Sequence, residues 1–172
     1  IVIVLLVLLM LLGGASYHTL GAARRMQQLQ QLQDELEKLA HTDFLTGLDN
    51  RRHFMGQAER ELLRAQRYAT QTAILMFDLD HFKAINDTYG HGNGDRVLRD
   101  VAHYVARTLR EADIIGRIGG EEFAILLPQA DCAQAEEVAW RLCKGVADLV
   151  IVSEQGTPLR ITISVGIALA YP

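Results

Sequence analysis

The chain has 172 residues, of which 49% are hydrophobic and 22% are charged, and its formal net charge at pH 7 is −4. Once the N-terminal segments are set aside, about 130 residues remain, which is enough for one domain with a core of normal size. The longest basic blocks are the pairs Arg24-Arg25 and Arg51-Arg52, so a nucleic-acid polymer is excluded as the expected partner.

The N-terminal segment is apolar. Residues 1–15 are all apolar or glycine, and no formal charge precedes Arg24. A membrane-spanning helix needs about 20 mostly apolar residues, so residues 1–23 are predicted to form the C-terminal part of one. The alternative is a signal peptide, but no basic n-region precedes the apolar run. Arg24-Arg25 predicts an inner-membrane protein whose C-terminal side is cytoplasmic, and the absence of a first Met predicts a longer protein.

A leucine repeat follows the apolar segment. Leucines stand at 3-4-3 spacing with polar residues between them, at Leu29, Leu32, Leu36 and Leu39. This pattern predicts the a/d seam of a short parallel coiled coil over residues 24–42, and hence a homodimer. An amphipathic helix packed on its own domain is the alternative, although its apolar stripe is usually wider.

Helical and strand patterns alternate through the rest of the chain. Core-facing helical stripes are predicted at Phe54, Ala58, Leu62 and Ala65, at Val97, Val101, Val105 and Leu109, and at Ala135, Val138, Ala139, Leu142 and Val146. Strands are expected near 72–78, 114–118, 122–127 and 160–168. This alternation predicts an α/β (α+β) layer fold in which helices cover a sheet of mixed direction.

The first predicted strand ends in carboxylates. Five apolar residues, 73–77, predict a strand buried on both faces, and Asp78-Leu79-Asp80 follows directly. Asp78 and Asp80 are two residues apart, so they point the same way if the strand continues. Either could instead cap the following helix.

A glycine pair stands between two later strands. Gly119-Gly120 is followed by Glu121-Glu122, and two glycines between strands predict a tight hairpin with a primed turn. Glycines also let a bulky ligand approach the backbone. An ordinary polar hairpin is the alternative, but carboxylates on the hairpin and on the preceding strand end suit Mg²⁺, which takes its other ligands from water and phosphate.

Several motifs together resemble the GGDEF-domain diguanylate cyclases, in the variant whose signature reads GGEEF. Residues 41–52 resemble the family's DxLTGLxNRR motif, residues 77–87 its DxDxFKxxND segment, and residues 89–95 its GHxxGD segment. The matches cover about residues 43–172 in the family's order and spacing. The resemblance implies a ferredoxin-like palm, similar to that of nucleotide cyclases, with the glycine hairpin at its active edge.

The resemblance also implies a reaction that joins two GTP molecules into cyclic di-GMP and releases two pyrophosphates, with Mg²⁺ or Mn²⁺ as cofactor. Asp78 and Glu121 would supply carboxylate ligands and Leu79 a main-chain carbonyl. Glu121 would also accept the hydroxyl proton, and Lys83 would stabilise charge in the transition state.

The family's substrate contacts fall on five further residues of this chain. The resemblance implies guanine contacts from Asn86 and Asp95, a pocket position for His91, and room for the nucleotide at Gly119 and Gly120. Three of the family's polar residues also have an ordinary structural alternative: a salt bridge for Lys83, a turn cap for Asn86 and a helix N-cap for Asp95.

The family's product-inhibition site is an RxxD motif, which corresponds to Arg110 and Asp113. The arginine could contact cyclic di-GMP in a bidentate manner and the aspartate could accept from a guanine. The alternative is a helix-terminal arginine followed by a loop aspartate.

The chain stops at Pro172, whereas family members continue with a helix and a strand whose Lys and Arg contact the GTP phosphates. The domain is therefore expected to lack these elements. A catalytically silent GGDEF module, which binds nucleotide or relays dimerisation, is the competing function. The presence of Asp78, Lys83, Glu121 and Glu122 favours the enzyme.

Overall fold

The computed structural model describes residues 26, 28, 30 and 40–171. The chain divides into a unit Ile1–Ala40 and a unit His41–Pro172, and only the second is described below. The predicted membrane helix over 1–23 and the four leucines of the predicted seam lie outside the described residues. Among the residues that are described, no helix combines the length and apolar character that a membrane crossing requires.

The unit from His41 onward alternates helices and strands. Its helices are α1 (Arg51–Tyr68), α2 (Phe82–Tyr89), α3 (His91–Thr108) and α4 (Cys132–Ala147). Its strands are β1 (Asp49–Asn50), β2 (Thr72–Leu79), β3 (Ile114–Arg117), β4 (Glu122–Pro128), β5 (Ile151–Val152), β6 (Pro158–Leu159) and β7 (Ile163–Ala170).

Five strands form one mixed sheet in the order β1-β3-β4-β2-β7. β1 and β3 run parallel, and the other neighbours run antiparallel; β5 and β6 form a separate antiparallel pair. Leaving aside the separate β5–β6 pair and counting α2 and α3 as one helical connection, the elements from β2 to β7 follow the βαββαβ order of ferredoxin-like folds. The predicted sheet of mixed direction flanked by helices is therefore confirmed.

The predicted strands agree with β2, β3 and β4 to within one residue. β7 begins three residues later than expected and continues to Ala170. Leu159 pairs with Ile151 in the small β5–β6 sheet, so the chain joins the main sheet only at Ile163, opposite Leu79.

The main core lies between the sheet and helices α3 and α4. Leu75, Phe77 and Leu79 of β2 are buried on this side, and the Phe77 ring stacks on Phe123 of β4 with centroids 5.0 Å apart. The predicted stripes on these helices are buried at Val97, Val101, Val105, Ala135, Val138, Ala139, Leu142 and Val146. Leu109 packs partly against the core, just beyond the end of α3.

The opposite face of β2 contradicts the prediction that this strand is buried on both sides. Met76 is 51% exposed and Ile74 is half-buried. On this face Phe54 and Ala58 of α1 pack with Ala124 and Leu126 of β4, and α1 does not cover β2 fully. An apolar groove of about 640 Å³, lined by residues of α1, β2 and β4, remains open here.

Candidate active site

Two acidic residues lie opposite each other where β2 and β4 meet at one end of the sheet. Asp78 of β2 pairs with Glu122 of β4, and on its other side Asp78 pairs with Ser164 of β7. Directly paired residues in a sheet project from the same face. The neighbouring pair, Phe77 and Phe123, projects into the core, which holds the acidic pair on the outer face.

The glycine hairpin joins β3 to β4 through residues 118–121. The main-chain N–H groups of Ile118 and Gly119 both donate to the Glu122 carbonyl, at 2.8 and 3.2 Å. The predicted hairpin is confirmed, but the primed turn was wrong, since neither Gly119 nor Gly120 has a positive φ. A loop of four residues can reverse the chain without the left-handed conformation that a two-residue primed turn requires.

The two glycines differ in the space beside them. A Cβ atom at Gly120 would meet no atom within 4 Å, whereas at Gly119 it would collide with the Glu122 carboxylate. The room predicted for a ligand therefore exists at Gly120. At Gly119 it is taken by the Glu122 side chain.

Glu121 is electrostatically coupled to the neighbouring acids. Burial raises the pKa of Glu121, and the negative charges of Asp78 and Glu122 raise it further. A divalent cation would relieve this repulsion. Within residues 40–171, no cluster of three or more His, Cys, Asp or Glu is arranged as a complete metal site. The predicted set of two carboxylates and one carbonyl still suits Mg²⁺, which completes its octahedron with water and phosphate oxygens.

Arg117, the last residue of β3, holds the hairpin. Its Nη2 and Nε donate to the Gly120 carbonyl at 2.6 and 3.2 Å, and Nε also donates to the Gly119 carbonyl at 3.2 Å. Its Nη1 donates to both carboxylate oxygens of Asp43, at 3.0 and 3.2 Å. Sequence reasoning assigned no role to this pair, although an arginine two residues before the glycine pair was a usable signal.

Asp43 is itself fixed within the loop of residues 43–48. Its carboxylate accepts from the Thr46 main-chain N–H at 2.9 Å and from the Thr46 hydroxyl at 2.7 Å. Burial alone would raise the pKa of Asp43, but these bonds and the Arg117 guanidinium together lower it. Asp43 is therefore held as a carboxylate, and the hairpin is tied to this loop.

Asp80 neither caps the following helix nor offers a free carboxylate to a metal, which were the two roles considered for it. Its carboxylate accepts from the hydroxyls of Ser164 and Thr162, each at 2.6 Å, and these two bonds lower its pKa. It does not cap α2, whose N-cap residue is His81. Asp80 therefore anchors the end of β2 to β7.

The residues predicted to contact substrate lie along α2 and α3. Lys83, His91 and Asp95 are exposed, and Asn86 is half-buried. Within the described part of the chain, Lys83 forms no salt bridge, and Asp95 lies inside α3 rather than at its N-cap. The predicted polar groups are thus available at the surface.

Asn86 lies against a glycine of the next helix. A Cβ atom at Gly94 would overlap the Asn86 side-chain oxygen, so α2 and α3 can bring Asn86 close to the residue before Asp95 only because position 94 is glycine. Sequence reasoning did not single out Gly94, since the overlap arises between two helices.

Arg110 and Asp113 form a turn between α3 and β3. The Asp113 carboxylate accepts from the Arg110 main-chain N–H at 2.9 Å, and the Asp113 N–H donates to the Arg110 carbonyl at 3.0 Å. The helix ends at Thr108, so Arg110 is not a helix-terminal residue. Its side chain is exposed.

Residues 40–172 match the family described as "Diguanylate cyclase, GGDEF domain". The chain belongs to this family. TpbB of Pseudomonas aeruginosa, named a diguanylate cyclase, is 41% identical over 145 residues, which are 82% of this chain and 33% of TpbB. The chain thus spans a third of the length of that relative.

Two solved GGDEF structures resemble this one. The coiled coil and GGDEF domain of DgcB from Caulobacter crescentus, in complex with c-di-GMP, has a TM-score of 0.84 at 27% identity, covering 91% of this chain and 83% of that one. The active GGEEF domain of a diguanylate cyclase from Vibrio cholerae has a TM-score of 0.66 at 29% identity, covering 72% and 77%.

The Asp43–Arg117 pair of this GGDEF domain yields a prediction for stability. Replacing Asp43 by Asn should lower the free energy of unfolding at pH 7 by about 1–3 kcal/mol, because Arg117 loses a charged partner. The lowered pKa of Asp43 means that its contribution is present above the ordinary carboxyl value of 3.8 and is lost as pH falls through its folded-state pKa. The difference between variant and wild type should therefore shrink in acid.

Urea unfolding of both proteins at pH 7 and at lower pH values measures this difference. Asp100→Asn, an exposed position on α3, is the matched control and should change little at any pH. An equal destabilisation of Asp43→Asn at all pH values would contradict the assigned charge pairing.

Proposed function

We propose that this GGDEF domain is the catalytic part of a diguanylate cyclase that condenses two GTP molecules into cyclic di-GMP and two pyrophosphates. The observation that carries the proposal is the pairing of Asp78 on β2 with Glu122 on β4, next to Glu121 on the hairpin that Arg117 holds. The name of TpbB and the activity of the Vibrio cholerae domain, whose GGEEF signature this chain shares at residues 119–123, support it.

Asp78, Glu121 and the Leu79 carbonyl would hold the metal. The buried Leu79 side chain anchors the main chain next to Asp78. Bound Mg²⁺ or Mn²⁺ would neutralise phosphate charge during the transfer.

The reaction forms one phosphorus–oxygen bond and breaks another at each GTP. The 3′-oxygen of one GTP attacks the α-phosphorus of the other, and the bond to pyrophosphate breaks. Glu121 would take the hydroxyl proton. Lys83, in the first turn of α2 and free of salt bridges within the described residues, would stabilise the negative charge on the phosphates.

Guanine recognition is proposed for Asn86 and Asp95. An amide and a carboxylate together supply the acceptor and donor groups that the guanine edge requires. The exposed imidazole of His91 lies on the first turn of α3 and would border the same pocket. The open space at Gly120 would admit the nucleotide to the backbone.

Product inhibition is proposed at Arg110 and Asp113. The exposed guanidinium of Arg110 can form two parallel hydrogen bonds with a planar acceptor. DgcB, whose structure contains c-di-GMP, supports a binding site for this product in the family.

Dimerisation and membrane anchoring complete the proposal. One domain carries one hairpin, whereas the product joins two nucleotides symmetrically, so two GGDEF domains would face each other with one GTP each. The leucine repeat between 24 and 42 would hold the two chains together as a coiled coil. Residues 1–23 would anchor the dimer in the inner membrane, with the catalytic domain in the cytoplasm.

Replacing Glu121 by Gln should lower kcat by about 100- to 10,000-fold, because the variant loses the proton acceptor and a negative charge that would bind the metal. The measurement is cyclic di-GMP formation by the full-length protein with GTP and Mg²⁺. Glu137→Gln, at an exposed position on α4, is the control and should keep wild-type activity. Wild-type turnover by Glu121→Gln would refute its role, and an inactive wild type would indicate a silent module.

Replacing Gly94 by Ala should raise the KM for GTP about tenfold, because the new methyl group displaces the Asn86 amide and weakens a hydrogen bond to guanine. Gly92→Ala is the matched control, since it lies in the same helix and its Cβ would make only an ordinary contact at 3.8 Å with Glu154. The same KM in both variants would contradict a guanine contact from Asn86.

Replacing Leu32 and Leu36 by Glu should place charge in the predicted seam and separate the chains. A short tether raises the effective concentration of the second domain into the millimolar range, so specific activity of the variant should fall at low protein concentration and recover at high concentration. Gln30→Glu with Gln31→Glu adds the same charge outside the seam and serves as the control. Specific activity of the leucine variant that does not change with dilution would refute this role.

A further inference from the structure

Asp80 connects the end of β2 to the start of β7 through three hydrogen bonds. Its two carboxylate oxygens accept from the hydroxyls of Ser164 and Thr162, both at 2.6 Å. Its main-chain N–H donates to the Thr162 carbonyl at 2.9 Å. One residue therefore uses both its side chain and its main chain to hold the neighbouring strand.

These bonds surround the two residues proposed to bind the metal. Ser164 is the direct register partner of Asp78, and Ile163 is the partner of Leu79. The bonds from Asp80 to Thr162 and Ser164 thus lie on both sides of the Leu79–Ile163 pair. On its other side, Asp78 is held by pairing with Glu122 of β4, so the bonds of Asp80 complete the restraint from the β7 side.

The chain turns sharply directly after Asp80. His81 adopts a left-handed conformation with a φ of 56°, and its side chain makes no capping bond to α2. Such a conformation is unfavourable for a residue other than glycine and persists only where the surroundings hold it. The hydrogen bonds of Asp80 fix the chain where β2 ends and this turn begins.

We propose that Asp80 is a positioning residue, which acts through Thr162 and Ser164 to hold Asp78 and the Leu79 carbonyl in the arrangement that a divalent cation requires. The inference rests on the proposed function for the location of the metal. It assigns Asp80 no ligand bond to the metal, because its carboxylate oxygens are used for β7.

The test measures Mn²⁺ affinity by electron paramagnetic resonance, on the full chain with a non-hydrolysable GTP analogue, together with kcat and KM. Asp80→Asn, Thr162→Val and Ser164→Ala should each weaken Mn²⁺ binding, by about 10- to 100-fold for Asp80→Asn, the range typical of residues that orient metal ligands. The apparent kcat should recover at high Mn²⁺, and the KM for GTP at saturating metal should stay near the wild-type value.

Ser153→Ala is the matched control. The Ser153 hydroxyl accepts from the Thr157 N–H at 3.0 Å between β5 and β6, so this change also removes one hydroxyl that makes a hydrogen bond, but away from the sheet end. It should leave Mn²⁺ affinity unchanged. Thermal unfolding of every variant distinguishes loss of folded protein from loss of metal affinity. If Asp80→Asn does not fold, the Mn²⁺ affinities of Thr162→Val and Ser164→Ala provide the test.

The double variant Asp80→Ala with Ser164→Ala should bind Mn²⁺ about as weakly as Asp80→Ala alone, because Asp80→Ala already removes the bond to Ser164. Folded variants with wild-type Mn²⁺ affinity would overturn the inference. A wild type that binds Mn²⁺ but forms no cyclic di-GMP would instead refute the proposed function, while the weaker binding of the variants would still support the positioning role.

Discussion

The fork of hydrogen bonds from Arg117 determines where the acidic hairpin lies. The guanidinium bonds the carbonyls of Gly119 and Gly120 on one side and the Asp43 carboxylate on the other. Its donors are planar and fixed in direction, so the hairpin and the loop of residues 43–48 cannot move independently without breaking several bonds. The side chains of Arg117 and Asp43 are only 14% and 16% exposed, and solvent ions screen such a pair weakly.

Core packing decides which face of the sheet carries the carboxylates. The stacked rings of Phe77 and Phe123 form the cross-strand pair next to that of Asp78 and Glu122, and they hold β2 and β4 in register. A slip of one residue would turn the acids into the core and the rings into solvent. The register is thus set by apolar burial, and the acidic groups gather on the outer face as a consequence.

Placing three carboxylates close together is unfavourable for the isolated domain, because their negative charges repel each other. Burial raises the pKa of Glu121, and the negative charges of Asp78 and Glu122 raise it further, so its ionised form is disfavoured. A divalent cation would relieve this repulsion, so the arrangement favours the binding of a cation over the stability of the isolated domain.

The sequence by itself determined the main strands, the helical stripes, the hairpin and the family, because each depends on local periodicity or on a contiguous motif. It misjudged the burial of β2, since five apolar residues do not reveal that α1 leaves Met76 half-exposed. Only the tertiary structure decided how Arg117 meets Asp43 and how Asp80 meets β7. These contacts join residues 74 to 84 positions apart, and they exist only because sheet pairing and core burial bring the strand ends together.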